Sequence, residues 1–252
     1  MIRAPRLHVA APLAAGATAV LTPEQMNYLG AVMRLSAGAR VLAFNGGDGE
    51  FSAKIVAVGR KTLALAMTAQ TRPPEAPPNL DLLFAPLKHA RLDYLAQKAI
   101  EMGVGRLKPV ATRRTQAARL NLERLAANAI EAAEQCGAVW TPEVSPIEPL
   151  EKALAAWPAD RLLVFCDEEA PAASPLDVLA AAGGRQGAGV LIGPEGGFDE
   201  AERAAILQVP RVLRLSLGPR VLRADTAAVA ALALVQASLG DWRIPASGAD
   251  QG

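Results

Sequence analysis

Two short stretches of the chain carry residue types arranged for chemistry. The first is Leu191-Ile192-Gly193-Pro194-Glu195-Gly196-Gly197-Phe198-Asp199, three glycines and a proline directly after an apolar run. The second is Leu215-Ser216-Leu217-Gly218-Pro219-Arg220-Val221-Leu222-Arg223-Ala224-Asp225-Thr226, after the next apolar run. Glycine lets a backbone take positive φ and come close to a ligand. Each stretch sits between a predicted strand and a predicted helix, where open α/β sheets bind ligands at the carboxyl ends of their strands. Two tight turns serving only packing would look the same. The named nucleotide motifs do not fit. There is no phosphate loop ending in Gly-Lys-Ser/Thr, Gly187, Gly189 and Gly193 have the wrong spacing for a dinucleotide fingerprint, and no Gly-x-Ser-x-Gly elbow occurs.

The elements that must hold these loops alternate. Strands are predicted over 80–85, 107–111, 161–166, 189–192 and 212–217, and helices over 92–102, 122–136, 175–182, 199–207 and 226–239. Such alternation means a parallel sheet covered on both faces. Asp199 and Glu202 form a capping box at one helix start. The 227–235 run is apolar nearly all round, so it must be buried deep in its domain or against a partner. Ahead of this region, Arg72-Pro73-Pro74-Glu75-Ala76-Pro77-Pro78-Asn79 reads as a stiff linker. It divides the chain into 1–72, a linker at 73–78, and 79–252. The first part reads as β with one helix. Thr22-Pro23-Glu24-Gln25 starts that helix, and runs at 40–44, 51–58 and 62–67 with glycine-rich turns make an antiparallel meander. A small barrel is the economical closure.

Composition narrows the classes. In 252 residues, 51% are hydrophobic and 20% charged, which is globular rather than disordered. The longest apolar run, 227–235, is too short to span a bilayer. Arg3, Arg6 and the alanine-rich run behind them loosely mimic a secretory signal, but Pro12 and Gly16 interrupt it, and a cytoplasmic protein is expected. Two cysteines, Cys136 and Cys166, in apolar surroundings read as reduced core thiols, and two separated histidines exclude a histidine metal site. His8 reads as a surface residue. Residues 1–72 hold eight Lys/Arg against three Asp/Glu, and 159–252 hold eight against twelve. The basic front suggests contact with a polyanion.

The paired stretches at 192–198 and 217–227 resemble the signature of the SPOUT RNA methyltransferases. Within them the chain is most similar to the ribosomal RNA small subunit methyltransferase E family. Gln97–Val104, Ala129–Gly137 and the turn from Asn45 to Phe51 extend the likeness through nearly the whole chain, in order. The resemblance implies a C-terminal α/β domain with a deep trefoil knot and an N-terminal PUA-like β-barrel that holds RNA. It implies a homodimer, and the sequence itself leads us to expect neither a metal nor membrane association. The reaction implied is methylation of N3 of one uridine of 16S rRNA by S-adenosylmethionine, with the small ribosomal subunit as the setting. Another RNA, a ribose hydroxyl, or a non-catalytic rRNA-binding module are the alternatives. Asn27 stands where relatives often have His, and Asp225 where they often have Glu.

The resemblance places the cofactor against Leu191, Ile192, Gly193, Pro194, Gly196, Gly197, Leu217, Gly218, Arg220, Leu222, Arg223 and Thr226. Uracil N3 reacts only as the imide anion. Arg220 or Arg223 would stabilise that anion, since arginine is always charged and cannot be a base. Glu195 or Asp225 would take the proton. Arg3, Arg6, Arg34, Lys88, Arg113 and Arg114 are the chief candidates for RNA contact, with Lys54, Arg60 and Lys61 beside them in the first domain. The basic run of Arg106, Lys108, Arg113, Arg114, Arg119 and Arg124 reads either as a phosphate-contacting segment or as a solvated surface. Cys136 reads as helix packing, not as a nucleophile.

Overall fold

Where the chain turns at Asn45, that side chain accepts hydrogen bonds from the Gly47 and Asp48 amides, and so folds two runs into a hairpin. The computed structural model describes residues 4–59, 62–115, 120–183 and 187–243. Arg3, Arg60, Lys61 and Arg119, four of the basic candidates, lie outside the described residues.

The chain forms two compact units. The first comprises residues 1–77 together with 133–141. Its strands are β1 (Arg6–His8), β2 (Thr18–Val20), β3 (Arg40–Phe44), β4 (Glu50–Ala57) and β5 (Leu63–Arg72). They lie in the order β1-β3-β4-β5-β2. The expected antiparallel meander is β3-β4-β5. The three-residue strands β1 and β2, which the sequence did not reveal, extend it, β1 parallel to β3 and β2 antiparallel to β5. All five strands send side chains into one core that includes Leu7, Ala19, Val41, Ile55 and Leu65, so the sheet curls around it. The helix α1 (Pro23–Asn27) begins with the expected capping box at Thr22 and Gln25. It continues as a π-helical turn, Tyr28–Val32, and just beyond it lies Arg34, among the described residues the one non-glycine residue with positive φ.

Residues 133–141 join this unit although the sequence divides it off at the prolines. Arg6 explains part of this. It pairs with Glu50 at 2.7 Å, donates to the carbonyls of Ala133, Glu134 and Ala138, and lies over the Phe44 ring. With four of its five N–H donors used inside the unit and its side chain 12% exposed, Arg6 is a structural residue. The expectation that it contacts RNA is corrected accordingly. His8 is half-buried, within 3.2 Å of the Thr141 hydroxyl, and not a free surface residue.

The second unit, residues 78–132 and 142–252, is the expected parallel sheet with helices. Its strands β6 (Leu80–Phe84), β7 (Arg106–Ala111), β8 (Glu143–Val144), β10 (Leu162–Cys166), β11 (Ala188–Ile192) and β12 (Val212–Leu215) run in the order β12-β10-β11-β6-β7-β8, and β9 (Glu148–Pro149) pairs with β7. Every pairing is parallel. The helices are α2 (His89–Glu101), α3 (Leu122–Cys136), α4 (Leu150–Ala155), α5 (Pro175–Ala182), α6 (Glu200–Leu207) and α7 (Ala224–Ser238). The last turn of α3 falls in the first unit. Strands β6 and β11 are buried at every position, as expected where helices cover both faces of a sheet.

Helix α7 is not buried on every side within the chain. Ala228, Ala231, Leu232 and Val235 are buried, while Val229, Ala230, Ala233 and Leu234 keep part of their surface open. Among the described residues, no helix is long and apolar enough to cross a membrane.

Candidate active site

The three neighbouring strands β12, β10 and β11 end on the same edge of the sheet because they are parallel. The loops that leave them, residues 166–169, 193–199 and 216–223, enclose a cleft of about 710 Å³. That is within the usual size of a small-molecule site, about 300–1,000 Å³. Both glycine-rich stretches of the sequence therefore meet in space. Ile192, Gly193, Pro194, Glu195, Gly196, Gly197, Leu217, Gly218, Arg220, Leu222 and Arg223 all line the cleft. Leu191 does not; it is fully buried in the core behind it. Thr226 is exposed on the first turn of α7 and lies off the cleft wall.

The glycines do different jobs. A side chain at Gly193 would strike the Phe198 ring at 2.7 Å, so this glycine serves packing. Gly197 and Gly218 have φ of +70° and +101°, which side-chain-bearing residues avoid. A Cβ on Gly218 would meet nothing within 4 Å, so its backbone faces open space within the cleft.

The first loop is fastened from outside. Arg114 donates to the Gly196 carbonyl at 2.7 Å, and Arg113 pairs with Asp199 at 2.8 Å. Glu202, 4% exposed, accepts from the Asp199 amide at 3.1 Å and the Arg113 amide at 2.7 Å. The capping box of α6 is thus shared with the turn that follows β7. Hydrogen bonding from the Glu202 amide, then the charge of Arg113, hold the Asp199 carboxyl below the ordinary carboxylate range. Arg91, on the first turn of α2, pairs with Glu195. These contacts cross 82 to 104 residues of sequence, and no spacing rule could have found them.

The basic run at 106–124 is largely engaged. Arg106 pairs with Glu143, Arg124 with Asp93, and Lys108 lies over the Trp157 ring. With Arg113 and Arg114 turned onto the first loop, the described cations of this run all have partners, and Arg119 lies outside the described residues. The exposed basic residues without a partner, among those described, include Arg34, Lys54, Lys88, Arg220 and Arg223.

The third loop, after β10, was not anticipated; Asp167-Glu168-Glu169 following a predicted strand was its only signal. Asp167 is 4% exposed and receives Arg214 at 2.7 Å and Arg203 at 2.9 Å. Burial opposes its charge, but hydrogen bonds from Arg203, Arg214 and the Glu169 amide outweigh this and keep the carboxyl below its ordinary range. Cys166 also lines the cleft, and burial pushes its thiol up to about 12, so it is held protonated. Cys136 is exposed, contrary to the expected core thiol. Asp225 does not line the cleft, and its carboxylate accepts the Thr226 amide. Among the described residues no cluster of His, Cys, Asp and Glu is placed to hold a metal ion.

Comparison with known proteins gives this geometry a context. A family model described as an RNA methyltransferase domain matches residues 74–236, and one described as an RNA methyltransferase PUA domain matches 21–66. A ribosomal RNA small subunit methyltransferase E from Synechocystis is 31% identical over 94% of this chain and 79% of its own length. One from Rickettsia conorii is 28% identical over 92% of this chain and 94% of its own length. The crystal structure of another, from Neisseria gonorrhoeae and bound to S-adenosyl methionine, superposes with a TM-score of 0.81 at 27% identity, covering 93% of this chain and 97% of that one.

Proposed function

The chain belongs to the ribosomal RNA small subunit methyltransferase E family of RNA methyltransferases, and on that premise we propose that it methylates N3 of one uridine of 16S rRNA. The observation that carries this reading is the cleft at the ends of β10, β11 and β12. It has two glycine loops for walls and two arginines, Arg220 and Arg223, without partners among the described residues.

The residues present fit S-adenosylmethionine, which the Neisseria relative binds. The cleft is large enough, and the open backbone at Gly218 offers a surface that a side chain would fill. Ile192, Pro194, Gly196 and Gly197 on one side and Leu217, Gly218 and Leu222 on the other would hold the cofactor. When bound, it supplies an electrophilic methyl group, and no metal is needed. The chain then has to position uracil N3 in line, stabilise the imide anion, and remove a proton. Arg220 or Arg223 would stabilise charge on the flanking carbonyl oxygens. Cys166, held protonated, is poorly suited to the thiolate adduct that C5 methylation would require.

The first unit would hold RNA, as the PUA-type match at 21–66 suggests. Exposed Arg34 and Lys54 there, and Lys88 in the second unit, are the remaining candidates for phosphate contact among the described residues. The part-open strip Val229, Ala230, Ala233 and Leu234 on α7 supports a homodimer. The deep knot belongs to this reading, as does a cytoplasmic setting on the small ribosomal subunit.

The test is methyl transfer from S-adenosylmethionine to 16S rRNA, free or in small subunits, taken from a strain lacking the enzyme. Nucleoside mass spectrometry should show one 3-methyluridine per rRNA. A ribose-methylated nucleoside, or no transfer to either substrate, would overturn the proposal.

A further inference from the structure

We propose that Glu168, in the loop after β10, is the residue that accepts the N3 proton. This rests on the uracil-N3 reading above and adds to it the base that reading lacks.

Among the described residues four carboxylates line the cleft: Asp167, Glu168, Glu169 and Glu195. A carboxylate held in an ion pair has oxygens already occupied by guanidinium N–H groups and is less available to reach a substrate proton. Asp167 carries two such partners, Arg203 and Arg214. Glu169 pairs with Arg203 at 3.2 Å, and Glu195 with Arg91. Among the described residues Glu168 has no ion pair and no side-chain hydrogen bond. It is exposed, and one of its carboxylate oxygens would be 3.5 Å from a Cβ built on Gly197. The free carboxylate therefore lies against the first glycine loop, in the cleft that the arginines of the second loop also line. Glu195 and Asp225, the bases suggested by sequence, are respectively engaged and off the cleft wall.

The step balances with the groups named. Glu168 takes the N3 proton. Uracil N3 then uses the freed electron pair to bond the methyl carbon, while the carbon–sulfur bond breaks and its pair stays on sulfur. The products are 3-methyluracil, a neutral thioether and a protonated Glu168. The exposed carboxyl afterwards returns its proton to water.

The experiment compares Glu168→Gln and Glu195→Gln with the wild-type chain on 16S rRNA. A positioned base contributes about 100-fold or more. For Glu168→Gln we expect a fall in kcat of that order at neutral pH, with cofactor affinity by calorimetry within about twofold of wild type. The deficit should shrink as pH rises, because the imide then ionises without help. It should shrink also on RNA carrying 5-fluorouridine, whose N3 proton is more acidic. Glu195→Gln should lose far less. Normal turnover of Glu168→Gln overturns the assignment. So does a loss of affinity at unchanged kcat, which would make Glu168 a ligand of the cofactor's cationic groups, and so does a deficit that is flat with pH. A wild-type chain that methylates another atom overturns the N3 reading, and this assignment falls with it.

Discussion

The two glycine loops share their punctuation, and both leave parallel strands at the same edge of the sheet, yet they are built differently. The loop at 193–199 is held from outside by Arg91, Arg113, Arg114 and the buried Glu202. The loop at 216–223 has almost nothing holding it. Among the described residues, Arg220 and Arg223 are exposed without partners, Val221 is 91% exposed, and the one side-chain hydrogen bond is a long one at 3.4 Å from the Gly218 amide to Ser216. One wall of the cleft is thus tied to the rest of its unit by side-chain contacts, and the other presents its charged groups to solvent. A site with one rigid wall has a defined place for the cofactor. A site with one free wall keeps its charged groups available for the charge that develops during reaction, at the cost of ordering that loop on binding.

The largest expected effect tests the free wall. Arg223→Ala removes an exposed guanidinium with no hydrogen bond or ion pair among the described residues, so folding stability should be unchanged. If that group stabilises charge on uracil, methyl transfer should slow by about 30-fold or more, equivalent to about 2 kcal/mol. Thermal denaturation and single-turnover kinetics separate the two. Normal turnover in both Arg223→Ala and Arg220→Ala would mean that the free arginines are ordinary surface charge, and the contrast between the loops would have no chemical meaning.

Next in size is the fixed wall. Glu202→Ala leaves the part-buried Asp199 and Arg113 amides without their acceptor, the buried Glu202 carboxylate. An unsatisfied buried donor costs about 1–3 kcal/mol. We expect a lower melting temperature and weaker binding of S-adenosylmethionine, with kcat at saturation less affected. Glu202→Gln, which keeps one acceptor oxygen, should recover part of both. If Glu202→Ala melts earlier but binds the cofactor normally, Glu202 caps α6 and does nothing for the loop.

Much of this arrangement was legible in the sequence, and the reason it stopped where it did is physical. Helices α3 and α5 fall at the expected residues, and both capping boxes form, because caps and helical periodicity act within a few residues. Both glycine loops announced themselves through residues that only special backbone requires. The three-residue strands β1 and β2 were invisible because they are too short for alternation and take their order from β3 and β5. Helix α4 is a single short stretch with no side-chain cap to mark its start. The loop at 166–169 has no glycine or proline to mark it. Most costly was the assumption that basic residues near a cleft are free. Arg6, Arg113 and Arg114 are fixed by partners more than 80 residues away, and charge spacing says nothing about partners at that range.

The smallest effect sharpens the comparison most finely, since it asks which contact holds the fixed wall. Arg91 and Glu195 are 36% and 42% exposed. An exposed ion pair contributes about 0–1 kcal/mol, because water already solvates both charges and two long side chains must be ordered. Arg91→Ala should therefore change stability by less than about 1 kcal/mol and cofactor affinity by less than about fivefold. The loss should vanish near 1 M salt, where the screening length is about 3 Å. The Glu202→Ala defect should largely persist there, since part-buried hydrogen bonds to a buried carboxylate are screened much less. Calorimetric titrations of both variants at low and high salt would distinguish the two contacts. If instead Arg91→Ala weakens binding as much as Glu202→Ala and does so at every salt concentration, the Arg91–Glu195 pair and not the shared capping box sets the first loop. The rigid wall would then depend on its most exposed contact.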